Sequence, residues 1–229
     1  MGTDRLPTGI TSVDRLLGGG LENDCLTEIY GEGGSGKTLF CLEVALRVAR
    51  QNRWVFYVDT EGVSVDRLRS MAGDDLEKVL KRFLLSTPKD LEQQGRAVAT
   101  ACALAREGKR PVGLIVVDSG TFYYRLSLSA PDEDDARQTL ALSVADLAAT
   151  AFRVGVPTIL TNQVWRSMRD GTLEPLGGSF LNHAAKTILR LDRLPGDRRR
   201  AVLRKHRSLP EGSAEFRITS SGLVGVGPG

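Results

Sequence analysis

The run Gly31-Glu32-Gly33-Gly34-Ser35-Gly36-Lys37-Thr38 fits the pattern G-x-x-x-x-G-K-[ST] without a mismatch. It follows a strand-like run, Leu26–Tyr30, and opens a helical run, Lys37–Gln51, which is the context the pattern requires. Glycines let the backbone curl so that several N–H groups aim at one phosphate. A helix N-terminus adds positive partial charge there. Lys37 then reaches the outer phosphate oxygens as a point charge, and Thr38 offers a hydroxyl to a magnesium ion. The predicted chemistry is binding of ATP with Mg²⁺, and Glu32 and Ser35 belong to the same cradle.

Three further residues could complete a hydrolytic site. Asp118 ends the apolar run Leu114–Val117. An acid at the C-terminal end of a parallel strand lies in the crevice where such sheets bind ligands, and it suits a second contact to Mg²⁺. The alternative is a turn or helix-capping aspartate. Glu61, in Asp59-Thr60-Glu61-Gly62, follows the strand-like run Trp54–Val58. A carboxylate there can orient and deprotonate an attacking water, unless it is a surface turn acid. Gln163 ends the next strand-like run, Val156–Thr161. Its neutral amide can bond a terminal phosphate and report its loss, or it can serve as an edge or capping amide.

These residues need a scaffold that puts strand ends together. Helical spacing covers Lys37–Gln51, Val65–Met71, Asp75–Arg82, Lys89–Glu107 and Asp134–Val154. The intervening runs Leu26–Tyr30, Trp54–Val58, Phe83–Ser86, Leu114–Val117 and Val156–Thr161 read as strands, and Leu114–Val117 is apolar throughout, as a parallel strand covered on both faces should be. The alternation predicts an α/β fold with a mainly parallel sheet flanked by helices. After Gly178 short runs separated by Pro195-Gly196-Asp197, Pro210-Glu211-Gly212 and Ser221-Gly222 predict antiparallel hairpins along one sheet edge. No linker is visible, so the 229 residues are read as one domain. With 41% hydrophobic and 26% charged residues, the composition excludes wholesale disorder, collagen and a disulfide scaffold. Three widely spaced cysteines, no h-region and no long apolar stretch predict a cytoplasmic protein with reduced thiols and no membrane span.

In this order the pieces resemble the RecA-like recombinase family, with a P-loop NTPase core. The entry segment Thr8-Gly9-Ile10 through Leu16-Leu17-Gly18-Gly19-Gly20, the blocks Tyr57–Gly62 and Thr161-Asn162-Gln163-Val164, the segment Gly177-Gly178 to His183-Ala184, and Leu209-Pro210-Glu211 all match family blocks. The resemblance spans Thr8 to Gly225 and is closest to the short, RadB-type archaeal recombinase paralogues, which carry no N-terminal helical DNA-binding domain. It implies an accessory role in DNA repair and homologous recombination: ATP and DNA binding, weak ATP hydrolysis, and regulation of the main recombinase or of a Holliday-junction nuclease rather than strand exchange. It further implies that Glu61 activates water and Gln163 senses the terminal phosphate. His183 would lie near that phosphate and Arg67 would pack on adenine.

The resemblance places two DNA loops at about Gly120–Asp132 and Trp165–Leu181. Arg125 lies in the first; Arg166 and Arg169 flank Trp165, a stacking surface or a packing residue, in the second. The acid run Asp132–Asp135 opposes DNA beside the first loop. The expected binding is sequence-independent and salt-sensitive. Residues 190–207 carry eight Lys/Arg against two Asp, a net +6 in a chain of net +3. Within them Lys205 and Arg207 have the spacing of a Lys-x-Arg finger that related ATPases insert into a neighbouring subunit's site, which predicts an oligomer-dependent activity. A DNA-facing or merely solvated basic strand is the alternative. Two other functions remain open on sequence: an ATP-gated regulatory binding module, and a single-domain KaiC-like ATPase with no DNA role.

Overall fold

Short apolar runs become the central strands of the sheet at Leu26–Tyr30, Val112–Asp118 and Thr158–Asn162, buried along their whole length, and the longer amphipathic runs become the helices that cover them. In the computed structural model, which describes residues 5–128, 133–167 and 171–227, the order is as follows. A two-strand ribbon, β1 (Arg5–Leu6) with β2 (Leu21–Glu22), brackets α1 (Thr11–Leu16). Then come β3 (Leu26–Tyr30), α2 (Lys37–Arg50), β4 (Trp54–Asp59), α3 (Val65–Ala72), α4 (Leu76–Leu80), β5 (Phe83–Ser86), α5 (Leu91–Glu107) and β6 (Val112–Asp118). The second half holds α6 (Phe122–Ser127), α7 (Glu133–Val154), β7 (Thr158–Asn162), β8 (Val164–Arg166), β9 (Leu173–Pro175), α8 (Ser179–Ala184), β10 (Thr187–Arg193), β11 (Arg198–Lys205), β12 (Gly212–Thr219) and β13 (Gly222–Gly225).

The main sheet runs β13-β12-β11-β10-β3-β7-β6-β4-β5. From β10 to β5 every pairing is parallel; β10 through β13 pair antiparallel. The α/β class and the hairpin extension at one edge are as the sequence predicts. Strand β6 shows why the packing is two-sided. Leu114 and Val116 meet Phe40 and Val44 of α2 in one core, while Ile115 and Val117 meet Cys102 of α5 and Leu140 of α7 in the other. All three cysteines are buried and unpaired with one another. No helix among the described residues is long and apolar enough to cross a membrane.

The parallel strands bring β3, β4, β6 and β7 to a shared C-terminal edge. Two bonds weld it: Thr60 N–H donates to Asp118 O, and Gly120 N–H donates to Thr161 O, each at 2.9 Å. The sequence-predicted helix over Asp75–Arg82 is shorter, with a 3₁₀ turn at Gly73–Asp75 ahead of α4. The elements α1, α6, α8 and the strands β8 and β9 are not among those the sequence predicts; each is six residues or fewer, too short for a periodicity signal.

Candidate nucleotide site and adjoining cleft

Between β3 and α2 the glycine loop closes on itself. Gly31 must lack a side chain, because a Cβ there would lie 2.3 Å from the Leu191 carbonyl oxygen of β10. Gly36 caps α2 at φ +97°, a left-handed conformation that side chains resist. Lys37 opens α2 and its Nζ donates to Gly31 O at 2.8 Å and Glu32 O at 3.2 Å, so its charge lies across the mouth of the loop. Burial lowers its pKa, opposed by the charges of Glu61 and Asp118. Gly33, Gly34, Lys37 and Thr38 line a cavity of about 210 Å³ whose other walls include Glu61, Asp118 and Ile218. The sequence-predicted loop, Thr38, Asp118 and Glu61 therefore converge on one space.

A phosphate group fits that space. The buried Ser35 Oγ has no partner, and the loop leaves open space before the α2 N-terminus at Gly33, where an added Cβ would meet nothing within 4 Å. Thr38 and Asp118 are an oxygen pair suited to a magnesium ion that keeps most of its ligands as water and phosphate. Among the described residues no group of three or more His, Cys, Asp or Glu side chains is placed to hold a metal ion by itself. Asp118 is buried and accepts from Thr161 Oγ1 at 2.5 Å and Tyr57 Oη at 2.8 Å. Burial raises its pKa, against the hydroxyls of Thr161, Tyr57 and Thr38.

Glu61 is exposed on the turn after β4. The turn is fixed by Asp59, whose carboxylate accepts from the N–H groups of Glu61, Gly62 and Val63 at 3.2, 2.8 and 2.6 Å. The carboxylate of Glu61 accepts from Gln163 Nε2 at 2.9 Å. Gln163 Oε1 in turn accepts from Arg125 Nη1 of α6 at 3.2 Å. Two expected nucleotide-site residues and an expected DNA residue thus form one chain, Glu61–Gln163–Arg125.

Arg125 and Arg166 also share a cleft of about 600 Å³ with Trp165, Val164, Leu128 and Leu176. Trp165 is 49% exposed, so it is not a core residue. Arg166 pairs with Glu32 of the glycine loop at 3.1 Å, a second link between cleft and nucleotide site. Arg169 and Asp132 lie outside the described residues; Glu133, Asp134 and Asp135 form the first turn of α7.

The remaining expected residues are placed differently. Arg67 donates to Ser220 O and Thr219 O, which pins the β12–β13 turn next to Ile218 in the cavity wall. His183 is exposed on α8 and is not part of the cavity wall. Lys205 and Arg207 were expected on one face of a strand. Lys205 is instead the last residue of β11, and its Nζ caps α8 through Asn182 O and Ala185 O at 2.5 and 2.9 Å. Arg207, beyond the strand, pairs with Glu22 at 3.0 Å and Asp24 at 2.6 Å. Neither projects as a free finger, because carbonyls and carboxylates of the same chain hold both.

Sequence reasoning missed Tyr57, Asp59 and Thr161, which support the named acids. It also missed Arg199, whose Nε donates to Gly34 O at 3.1 Å, and its cross-strand neighbour Arg193, whose guanidinium lies 3.7 Å from a Cβ placed on Gly34. The Asp59 turn could have been read from D-x-x-G; the two arginines were visible only as part of the basic run.

The profile of the Rad51 family matches residues 3–226. The DNA repair and recombination protein RadB of Methanoculleus marisnigri is 42% identical, covering 97% of this chain and 99% of its own length. That of Methanococcoides burtonii is 38% identical over 96% of this chain and 97% of its own. A crystal structure of the RadB recombinase superposes with a TM-score of 0.80 at 38% identity, covering 97% of this chain and all of the other.

Proposed function

This chain belongs to the Rad51 family, and from that premise we propose that it is a DNA repair and recombination accessory protein that binds ATP and DNA and hydrolyses ATP weakly. The observation that carries the reading is the Gln163 side chain, bonded at once to Glu61 beside the glycine loop and to Arg125 in the Trp165 cleft.

In this reading Gly31–Gly36 and Lys37 hold the phosphates, with Arg193 and Arg199 at the rim. Thr38 and Asp118 hold Mg²⁺, which neutralises charge on the phosphate oxygens. Glu61 takes a proton from the attacking water. Gln163 stands where it can feel both the terminal phosphate and the position of Arg125. Arg67 and His183 remain proposed contacts to the base and the phosphate. DNA phosphates meet Arg125, Arg166 and Arg169, and a base stacks on Trp165. The main archaeal recombinase or a Holliday-junction nuclease is the proposed protein partner.

The test is Mg²⁺-dependent ATP hydrolysis beside direct nucleotide binding. Glu61→Gln should keep ATP binding and lose turnover by about a hundredfold or more, the usual worth of a general base. Lys37→Ala should lose binding itself. A Glu61→Gln protein that turns over at the wild-type rate contradicts the assignment.

A second reading, an ATP-gated regulatory module with incidental turnover, is favoured by the own-chain bonds of Lys205 and Arg207. Acting in trans, Lys205 would have to leave the carbonyls it caps. A rate per subunit that rises with protein concentration and is abolished by Lys205→Glu supports the finger; a flat rate supports the module. The KaiC-like alternative is not carried forward, because the relatives found are recombination proteins.

A further inference from the structure

Asn162 closes β7 one residue before Gln163, and it is fully buried. Its Oδ1 accepts from Thr121 Oγ1 at 2.7 Å. Its Nδ2 donates to Glu28 Oε1 and to Leu176 O, each at 2.7 Å. Thr121 and Leu176 stand on the two segments that form the Trp165 cleft: Thr121 leads into α6, which carries Arg125, and Leu176 follows β9 and lines the cleft. The same two residues grip the main chain of Gln163. Its N–H donates to Thr121 Oγ1, and its carbonyl accepts from Leu176 N–H, both at 3.0 Å.

Behind Asn162, Glu28 sits in the middle of β3 with 1% of its surface exposed, and nothing in the hydrolytic reading uses it. Its surroundings are a cavity of about 220 Å³ faced by Tyr30 of β3, Glu174 of β9, Asn182 of α8, and Arg204 and Lys205 of β11. A carboxylate in a central strand, buried on one side against an amide, is costly unless its bond is needed.

We propose that Asn162, held from behind by Glu28, is a positioning residue that ties both cleft segments to the Gln163 main chain and so sets the coupling between nucleotide and DNA. Movement of either segment reaches Gln163 through Thr121 or Leu176, and Asn162 keeps the two movements in step. Glu28 and the Leu176 carbonyl both accept at that end of the amide, which admits only Nδ2, and Glu28 is the side chain that holds it from behind. The inference rests on the ATP and DNA reading above.

The experiment measures the factor by which a single-stranded oligonucleotide changes the affinity for a non-hydrolysable ATP analogue with Mg²⁺. In the wild type that factor should reach about fivefold or more, the lower range of allosteric couplings. Asn162→Leu and Glu28→Leu should bring it close to one, while each ligand alone binds within about threefold of wild type, because neither residue touches a ligand. Glu28→Gln should restore the coupling, since its amide oxygen still accepts from Asn162. Thr121→Val, which keeps volume and removes the hydroxyl's bonds to Asn162 and to the Gln163 N–H, gives the same reading if Asn162→Leu fails to fold. A folded Asn162→Leu or Thr121→Val protein with the wild-type factor overturns the proposal, and Glu28→Gln behaving like Glu28→Leu overturns the part given to Glu28. A wild-type factor of one defeats the underlying ATP–DNA reading instead.

Discussion

At Asp118 burial and hydrogen bonding pull in opposite directions, and burial is the larger influence. A raised pKa lets protons compete with Mg²⁺ above the ordinary aspartate range near roughly 4. Mg²⁺-dependent nucleotide affinity should therefore fall as pH is lowered, beginning above that range. Calorimetric titration across the acid limb would show it; an affinity flat down to the ordinary aspartate range would count against the assignment. Arg199 makes a separate case. Its Nε donates to Gly34 O, so Arg199→Ala should weaken nucleotide binding severalfold with the fold intact, about what one charge-assisted contact contributes. The glycine loop was legible because its pattern is contiguous. The bonds Gln163–Glu61, Arg166–Glu32 and Asn162–Glu28 were not, since they join residues 102, 134 and 134 positions apart. Each acid could be named from its place after a strand; its partner is decided only when the strands assemble.

Strands β3 and β5 have the bounds that their short runs predict, although β3 is buried along its whole length and β5 is the half-exposed edge strand of the sheet. The short elements α6, α8 and β8–β9 were illegible for the opposite reason: tertiary bonds shape them, such as the Lys205 cap on α8. The helix face that seats the glycine loop should be the expensive one to damage. Phe40 is fully buried between α2 and the sheet, so Phe40→Ala should cost about 3–5 kcal/mol in urea unfolding. A loss under about 1 kcal/mol would mean that α2 is not packed as described. Strand β3 carries a pH term as well. Burial pushes the Glu28 carboxyl up to about 7, against the pull of Asn162 and Lys205. An acid whose folded pKa is raised contributes stability that is full below its unfolded pKa and lost as pH rises through the folded value. Wild type should lose stability between about pH 4.5 and about pH 7 relative to Glu28→Gln. Asp118 shifts in the same direction in both proteins, so the difference isolates Glu28. Parallel stability curves for the two would contradict the burial of a titrating carboxylate there.

Across the whole molecule, most of the cations in residues 190–207 are paired within the chain. Arg198 and Arg200 pair with Glu215, Arg190 with Asp192, and Arg207 with Glu22 and Asp24. In the proposed reading the DNA face is the Trp165 cleft, where Arg125 and Arg166 stand beside an exposed aromatic ring, rather than the basic run. Replacing Arg125 and Arg166 together by alanine should lower the slope of log affinity against log salt by about 1.4, at about 0.7 per single-strand phosphate contact. An unchanged slope would move DNA elsewhere on the surface. One amide, Gln163, joins the proposed nucleotide site to the proposed DNA site through its bonds to Glu61 and Arg125. The most direct test of that link is steady-state Mg²⁺-dependent ATP hydrolysis, with and without single-stranded DNA, in wild type and Gln163→Ala. DNA should change the wild-type rate and leave the Gln163→Ala rate where it was. A DNA effect of equal size in both proteins, or none in the wild type, would contradict the link.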